Sequence, residues 1–294
     1  MKADVFSLEG AKTKIIDMPA QFAEEVRPDL IRRAFLAYMS HKRQVYGAFP
    51  EAGKRQVVNI PKRRRALKTS YGHGIARTPR KIIWHRGRQF GWLGAFSPNT
   101  PGGRRAHPPK PWEIYDLKIN MKERRKAIRS ALAATLDQET VKERGHDFKH
   151  LVPIIDARIE TLQKAKDVLK VLHSLKLEEE LMRVAERKVR AGRGKIRGRK
   201  YKTKTGPLIV VAGSCPLQTA AANIPGVDIC EVNKLNINML APGGNAGRFT
   251  IFSEEAIEKI KSEELFMNIR AVVQRETTKK ETPKEKKVEK KARQ

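Results

Sequence analysis

The order of apolar runs predicts an α/β fold: a mostly parallel sheet flanked by helices, with a long irregular basic extension and a basic C-terminal tail. Three observations carry this. In the C-terminal half, apolar runs at 208–212, 227–232 and 250–252 alternate with short helical patterns at 217–224 and 235–240, the alternation that builds parallel sheets. Residues 42–110 hold 17 Lys or Arg against one acidic residue, Glu51, with no sustained period of 2 or 3.6. Residues 275–294 hold nine basic and four acidic side chains and nothing to bury, a composition that stays disordered on its own.

The remaining elements follow in chain order. Residues 3–8 and 14–18 suit two short strands around a turn at Gly10. Pro28 and Asp29 open a helix in which Ile31, Ala34, Phe35, Tyr38 and Met39 recur at i, i+3, i+4, i+7 and i+8, one apolar stripe. Asn120 and Glu123 have the spacing of a capping box, and Ile128, Ala131, Leu132, Thr135 and Leu136 continue the helix behind it. A brief apolar strand at 151–155 ends at Asp156. It precedes one helix through Ile159, Leu162, Ala165, Leu169 and Leu172, and another through Leu177, Leu181, Val184 and Ala185. Ser253 is placed to cap a helix whose first turn holds Glu254 and Glu255. A last helix carries Leu265, Phe266, Ile269, Val272 and Val273 on one side. The expected organisation is one globular domain from 1–41 and 111–274, an extended basic loop at 42–110 pinned by two helices, and the tail at 275–294.

Charge says what such a loop is for. Of the chain's net +30, residues 42–110 carry +16, residues 190–204 carry +8 without one acidic group, and the tail carries +5, leaving +1 for the body. A near-neutral body with basic appendages is the footprint of a protein embedded in a polyanion. Seven aromatics are interleaved with the cations of the loop: Tyr46, Phe49, Tyr71, Trp84, Phe90, Trp92 and Phe96. A merely solvated insert would be poor in rings, whereas rings beside guanidinium groups neutralise phosphates and stack on unpaired bases. The candidate RNA-binding residues are Lys62, Arg63, Arg64, Arg65, Lys68, Arg77, Arg80, Lys81, Arg86, Arg88, Arg104, Arg105 and Lys110. In the second basic segment they are Arg193, Lys195, Arg197, Arg199, Lys200, Lys202 and Lys204. The loop's apolar residues are too sparse to offset backbone ordering, so it is expected to order on RNA.

Other classes are excluded or weak. Cys215 and Cys230 form neither a CxxC knuckle nor a disulfide framework, which fits a reducing cytosol. No apolar run approaches the roughly 18 residues of a membrane span, and residues 1–10 hold Asp4 and Glu9 where a signal peptide is apolar. Gly72-His73-Gly74 follows no strand and opens no helix, so it is no dinucleotide fingerprint. Pro242-Gly243-Gly244-Asn245-Ala246-Gly247-Arg248 is a better phosphate cradle but lacks the GK[ST] ending, and a tight turn explains it more simply. His146 and His150 share helical spacing without a third ligand. Neither catalysis nor a cofactor is expected.

An ordered series of segments narrows the reading. It includes Gly72-His73-Gly74-Ile75-Ala76-Arg77, Gly94-Ala95-Phe96, Gly102-Gly103-Arg104-Arg105 and Ile128-Arg129-Ser130-Ala131. It continues with Arg190-Ala191-Gly192-Arg193-Gly194-Lys195, Asn223-Ile224-Pro225-Gly226, Lys234-Leu235-Asn236-Ile237 and Leu240-Ala241-Pro242-Gly243-Gly244. From about residue 28 to 260 the chain resembles the fourth universal protein family of the large ribosomal subunit, in its archaeal and eukaryotic branch. The resemblance implies a structural, non-catalytic protein whose partners are large-subunit ribosomal RNA and neighbouring ribosomal proteins. It also implies that the extension reaches the nascent-peptide tunnel and its peptide. The stretch 68–77 is about two residues shorter than the eukaryotic pattern, with Ile75 where a basic residue is common, and the long eukaryotic C-terminal extension is missing. An out-and-back loop from 42 to 110 turns at its midpoint, Ala76. Gly72, His73, Gly74 and Arg77, then Arg80 and Trp92, are the expected tunnel-facing tip.

Overall fold

A computed structural model describes residues 2–59, 64–65 and 69–267. Lys62, Arg63, Lys68, the tail and Ile269, Val272 and Val273 of the expected last helix lie outside the described residues. The chain forms two compact units, one from Met1–Phe35 with Ile119–Gln294 and one from Leu36–Lys118. The inserted unit therefore begins earlier and ends later than the 42–110 loop read from charge. Its flanks are tied together: the Leu117 amide donates to Ser40 Oγ at 2.9 Å, and the Tyr46 and Tyr115 rings stack at 6.4 Å.

The first unit holds β1 (Lys2–Phe6), β2 (Lys12–Asp17) and most of α1 (Pro28–His41), then α2 (Met121–Ala134), α3 (Gln138–Glu143), β5 (Ile154–Ile155), α4 (Ala165–Ser174) and α5 (Glu178–Ala185). Two further strands, β3 (Arg80–Arg86) and β4 (Gln89–Gly94), belong to the second unit. A small pair, β6 (Lys188–Val189) and β7 (Tyr201–Lys202), precedes β8 (Leu208–Val211), α6 (Leu217–Ala221), β9 (Asp228–Glu231), α7 (Ile237–Leu240), β10 (Thr250–Ser253) and α8 (Glu254–Ser262). Six strands make one sheet in the order β2-β1-β5-β10-β8-β9. Every pairing is parallel except β1 with β2, an antiparallel edge.

The central strands β5, β10 and β8 are buried on both faces, which is why they are short, mainly apolar runs, whereas the edge strand β2 is exposed. On one face Phe6, Ile155, Ile209, Val211 and Ile251 join Val168, Val171 and Leu172 of α4 and Leu217, Ala220 and Ala221 of α6 in one core. The alternate residues Val5, Ile154, Val210 and Phe252 are fully buried too, and Phe22 meets Phe252 edge-on at 5.3 Å. Ser253 caps α8 as its sequence position demands, its Oγ accepting from the Ala256 amide at 3.2 Å.

Four expectations are corrected. Met39 is exposed; the buried stripe of α1 runs through Ile31, Ala34 and Ala37. Asn120 precedes α2 but its side chain caps nothing, and Glu123 faces Arg33 at 3.5 Å instead. The helix expected from Ile159 to Leu172 is broken into a 3₁₀ turn, Ala157–Thr161, and α4. The cause is Glu160, whose carboxylate accepts from the Ala212 amide at 2.9 Å and from Ser253 Oγ, pinning the turn to the ends of β8 and β10. Leu265 and Phe266 lie in a turn after α8, not in a helix, with Phe266 at φ +64°.

Candidate nucleic-acid interface

The second unit is not irregular throughout. β3 (Arg80–Arg86) and β4 (Gln89–Gly94) form an antiparallel hairpin that closes at Gly87-Arg88, with a register shift between Ile82 and Trp84. Gly87 at φ +56° supplies the first corner of a two-residue turn. The signal was in the sequence, as Ile82-Ile83-Trp84 and Phe90-Gly91-Trp92-Leu93 around Gly87, but the bulge breaks the alternation that would have shown it. Before the hairpin the chain runs beside its own return. Ala48 N donates to Pro109 O at 3.1 Å, Gln56 Nε2 to Gly102 O at 3.3 Å, and Asn59 bridges Arg80. A Cβ at Gly47 would lie 2.3 Å from the Pro111 nitrogen, so only glycine lets the two limbs approach this closely.

The path therefore reverses three times, between Asn59 and Arg80, at Gly87-Arg88 and again in the turns at 96–104 that lead into the returning limb, and not once at Ala76. The bridge at Asn59 is antiparallel to β3, so the segment containing the Tyr71–Gly74 turn and the Gly87-Arg88 turn leave the bridge in opposite directions. Gly72, His73, Gly74 and Arg77 are all exposed, with Gly72 and Gly74 in left-handed backbone. Arg80 and Trp92 are half-buried in the hairpin, where the guanidinium lies 5.2 Å from the ring and donates to Ala76 O at 3.0 Å.

Cations and rings are paired along the whole unit. Arg64 and Arg77 lie 5.3 and 5.4 Å from the Tyr71 ring, Arg55 lies 4.1 Å from Phe49 and Arg104 5.7 Å from Phe96. Arg55, Phe49, Arg64 and Arg77 are exposed, while Tyr71, Phe96 and Arg104 are half-buried; a guanidinium over a ring is a surface suited to a phosphate or an unstacked base. Arg65, Arg86, Arg88, Arg105 and Lys110 are exposed and Lys81 is half-buried. Among the described residues of 42–110, Arg55 is the one cation with a carboxylate partner, Glu51 at 3.6 Å.

The second basic segment, in the first unit, is a small hairpin of its own. Lys188 stands opposite Lys202 and Val189 opposite Tyr201. Like charges directly opposed destabilise a strand pair unless an anion lies against them. Between the strands a 3₁₀ turn, Arg193–Arg197, is bounded by Gly192 and Gly198 at φ +78° and +76°. Arg193, Lys195, Arg197, Arg199, Lys200 and Lys202 are exposed, and Lys204 pairs with Glu186 at 2.7 Å.

Two other motifs turn out to be structural. In the glycine-rich 242–248 run a Cβ at Gly247, φ +88°, would lie 2.5 Å from Thr140 O. Arg248 is buried, and its guanidinium donates to Gly206 O at 2.9 Å, Met239 O at 3.0 Å and Asp228 Oδ2, so the run is a turn clasped from within. His146 and His150 face different partners: the His150 ring stacks on Phe6 at 5.8 Å, while His146 Nδ1 lies 2.6 Å from Oε1 of the fully buried Glu180. Glu180 also accepts from Arg183 Nε and Nη2, both at 2.7 Å, and from the Asp147 amide at 3.0 Å. Burial pushes its pKa up, but these donors outweigh burial and hold it below the ordinary value. The Ile128–Ala131 segment is likewise an anchor: Arg129 Nε donates to Glu24 at 2.8 Å, and Ser130 Oγ joins Glu25 O and the Arg27 amide.

A doubly covered α/β sheet that carries an arginine-and-ring unit inserted after its first helix, with a second basic hairpin, defines the basic-armed class of α/β proteins. The profile of the Ribosomal protein L4/L1 family matches residues 16–263, and the chain belongs to that family, in its archaeal branch. It is 47% identical over 267 residues to the large ribosomal subunit protein uL4 of Nanoarchaeum equitans, covering 90% of this chain and 100% of that one. It is 46% identical over 265 residues to uL4 of Methanocaldococcus jannaschii, covering 89% and 98%, and 43% identical over 265 residues to uL4 of Archaeoglobus fulgidus, covering 88% and 97%.

Proposed function

We propose that this chain is a structural constituent of the large ribosomal subunit, working in the cytoplasm, where it binds ribosomal RNA, supports subunit assembly and contacts neighbouring ribosomal proteins. It is not an enzyme and needs no cofactor; peptide-bond formation in this setting belongs to RNA. Its extended unit reaches the nascent-peptide exit tunnel and helps line it, with Gly72, His73, Gly74 and Arg77 facing the lumen and Arg80 and Trp92 behind them. Among the described residues, no helix is long and apolar enough to cross a membrane.

The observation that carries the reading is the lack of internal counter-charge: in the 42–110 stretch every described cation but Arg55 lacks a carboxylate, and several lie over rings. Such a surface is neutralised from outside, and RNA supplies both phosphates and flat bases. The RNA-contacting set is Lys62 to Lys68, Arg77 to Lys81, Arg86, Arg88, Arg104 to Lys110 and Arg193 to Lys204. The native protein is expected to co-sediment with the large subunit and to leave it only at high salt. Because log K falls by about 0.7 to 0.9 per log salt for each neutralised phosphate, deleting 42–110 should lower that slope by several units, and an unchanged slope refutes the assignment. For the tip, a photoreactive group at position 73 in a translating ribosome should crosslink to nascent chain; crosslinks to RNA alone from positions 73 and 77 reject the tunnel placement.

A further inference from the structure

Where the two limbs of the inserted unit run together they border an open cleft of about 700 Å³, lined by Tyr46, Arg105, Pro108, Lys110, Trp112 and Glu113 among others. Its size lies within the range of small-molecule pockets. Its walls are fixed by the Ala48–Pro109 hydrogen bond, by the Gly47 approach to Pro111, and by the stack of Tyr46 on Tyr115 with Arg43 3.9 Å from the Tyr115 ring. Yet Trp112 is 64% exposed and Tyr46 58%, so both have open surface that nothing in the unit covers.

The charges around these rings are mixed in an informative way. Arg105 and Lys110 suit phosphate. Glu113 does not, and a cleft built for phosphate alone would exclude it. Its carboxylate accepts from Tyr115 OH at 3.1 Å through Oε2, leaving Oε1 for another donor. A carboxylate beside stacking rings is what reads the exocyclic amine of a base, as acidic side chains accept from cytosine N4. Uracil offers no amine there, and its two carbonyl oxygens flank the one ring N–H.

We propose that this cleft receives one unpaired, amine-bearing nucleobase of RNA, stacked on Trp112, read by Glu113, with its flanking phosphates on Arg105 and Lys110. The proposal rests on the RNA-binding reading above and deepens it. Full-length protein is titrated with the single-stranded decamers rC10, rA10 and rU10 at fixed salt, and the salt slope is measured for each. Wild type should bind rC10 and rA10 several-fold tighter than rU10. Trp112→Ala should lose about 10-fold for rC10 and rA10, or about 1.4 kcal/mol, within the range for one stacked base, and Trp112→Phe should recover most of it. Glu113→Ala should bring the ratio of rC10 to rU10 affinity to about one with the salt slope unchanged.

Three results overturn the proposal: Trp112→Ala binding as wild type does, Trp112→Phe failing as badly as Trp112→Ala in a protein of native circular dichroism, or a base preference that survives Glu113→Ala. If no decamer binds in a salt-dependent way, the RNA-binding reading itself falls. If all bind equally with a steep slope, only the base pocket falls.

Discussion

Replacing Glu180 with alanine tests the buried ionic cluster of the first unit most sharply. The carboxylate is fully buried and accepts four hydrogen bonds, from His146, twice from Arg183 and from the Asp147 amide. Removing one member of such a set leaves its partners desolvated, which typically costs about 3 to 5 kcal/mol. Arg183 keeps Thr205 O as an acceptor at 2.7 Å, so the lower end applies. At roughly 2 to 4 °C per kcal/mol for a body of this size, the midpoint should fall by about 6 to 12 °C. Urea and thermal denaturation followed by circular dichroism read this directly. Pairing Glu180→Leu with Arg183→Met should restore only part of the loss, because it removes the stranded guanidinium but leaves His146 and the Asp147 amide without their acceptor. The pH dependence carries its own sign. The folded-state pKa is depressed, so the contribution is present above the unfolded carboxylate pKa and is lost as pH falls through the folded value. The variant should therefore lose less stability on acidification than wild type. A loss below about 1 kcal/mol with native circular dichroism would refute the reasoning, since that is the range of exposed pairs.

Arg248→Ala should cost about 3 kcal/mol because it strands the Gly206 and Met239 carbonyls, whereas Asp228→Asn, at a carboxylate 57% exposed, should cost well under half of that; chemical denaturation separates them. Changing Arg193, Lys195, Arg197 and Arg199 together to Gln should lower the salt slope of RNA binding by about 3 without moving the thermal midpoint of the first unit, as all four are exposed; a shifted midpoint would show that they pack. Burial pushes the Cys230 thiol up to about 11, so at pH 8 only about 0.1% is thiolate, and a thiol reagent should label it at least 10-fold more slowly in the native protein than in urea; equal rates would mean that β9 opens readily.

The body was legible because burial on both sheet faces leaves a plain mark. Leu208–Val211 is an apolar run too short for a helix, Ile251 and Phe252 mark the centre of β10, and Ser253 followed by two glutamates announces α8. What pairs across distance was not legible. His146 and Glu180 are 34 residues apart, and Glu180 sits in a run of three glutamates whose neighbours are solvated. Its one local mark is the i,i+3 spacing to Arg183. The 242–248 run was legible as a tight turn, but the inward direction of Arg248 was not: only the carbonyls of Gly206 and Met239 show it. In the extension the interleaving of cations and rings could be read from composition, but the path could not. The approach at Gly47 and the bridge from Asn59 to Arg80 link positions that no periodicity connects.

That bridge sets the bore of any passage the extension can occupy. At Arg80 three backbones lie abreast, those of Asn59, β3 and β4, and neighbouring strands sit about 4.8 Å apart, so the outer two are separated by about 10 Å before side chains are added. Both ends of the loop are also held, one by α1 and the other by the chain entering α2. A rope held at both ends enters a hole only as a bight, never by its tip, and this bight is three cords thick. RNA that had already closed a ring of single-chain width could not admit it; if the extension sits in so narrow a ring, as the proposed function allows, that ring would have to close around it. Protein supplied during RNA folding should then be taken up faster than protein supplied afterwards, and equal uptake rates would exclude this order.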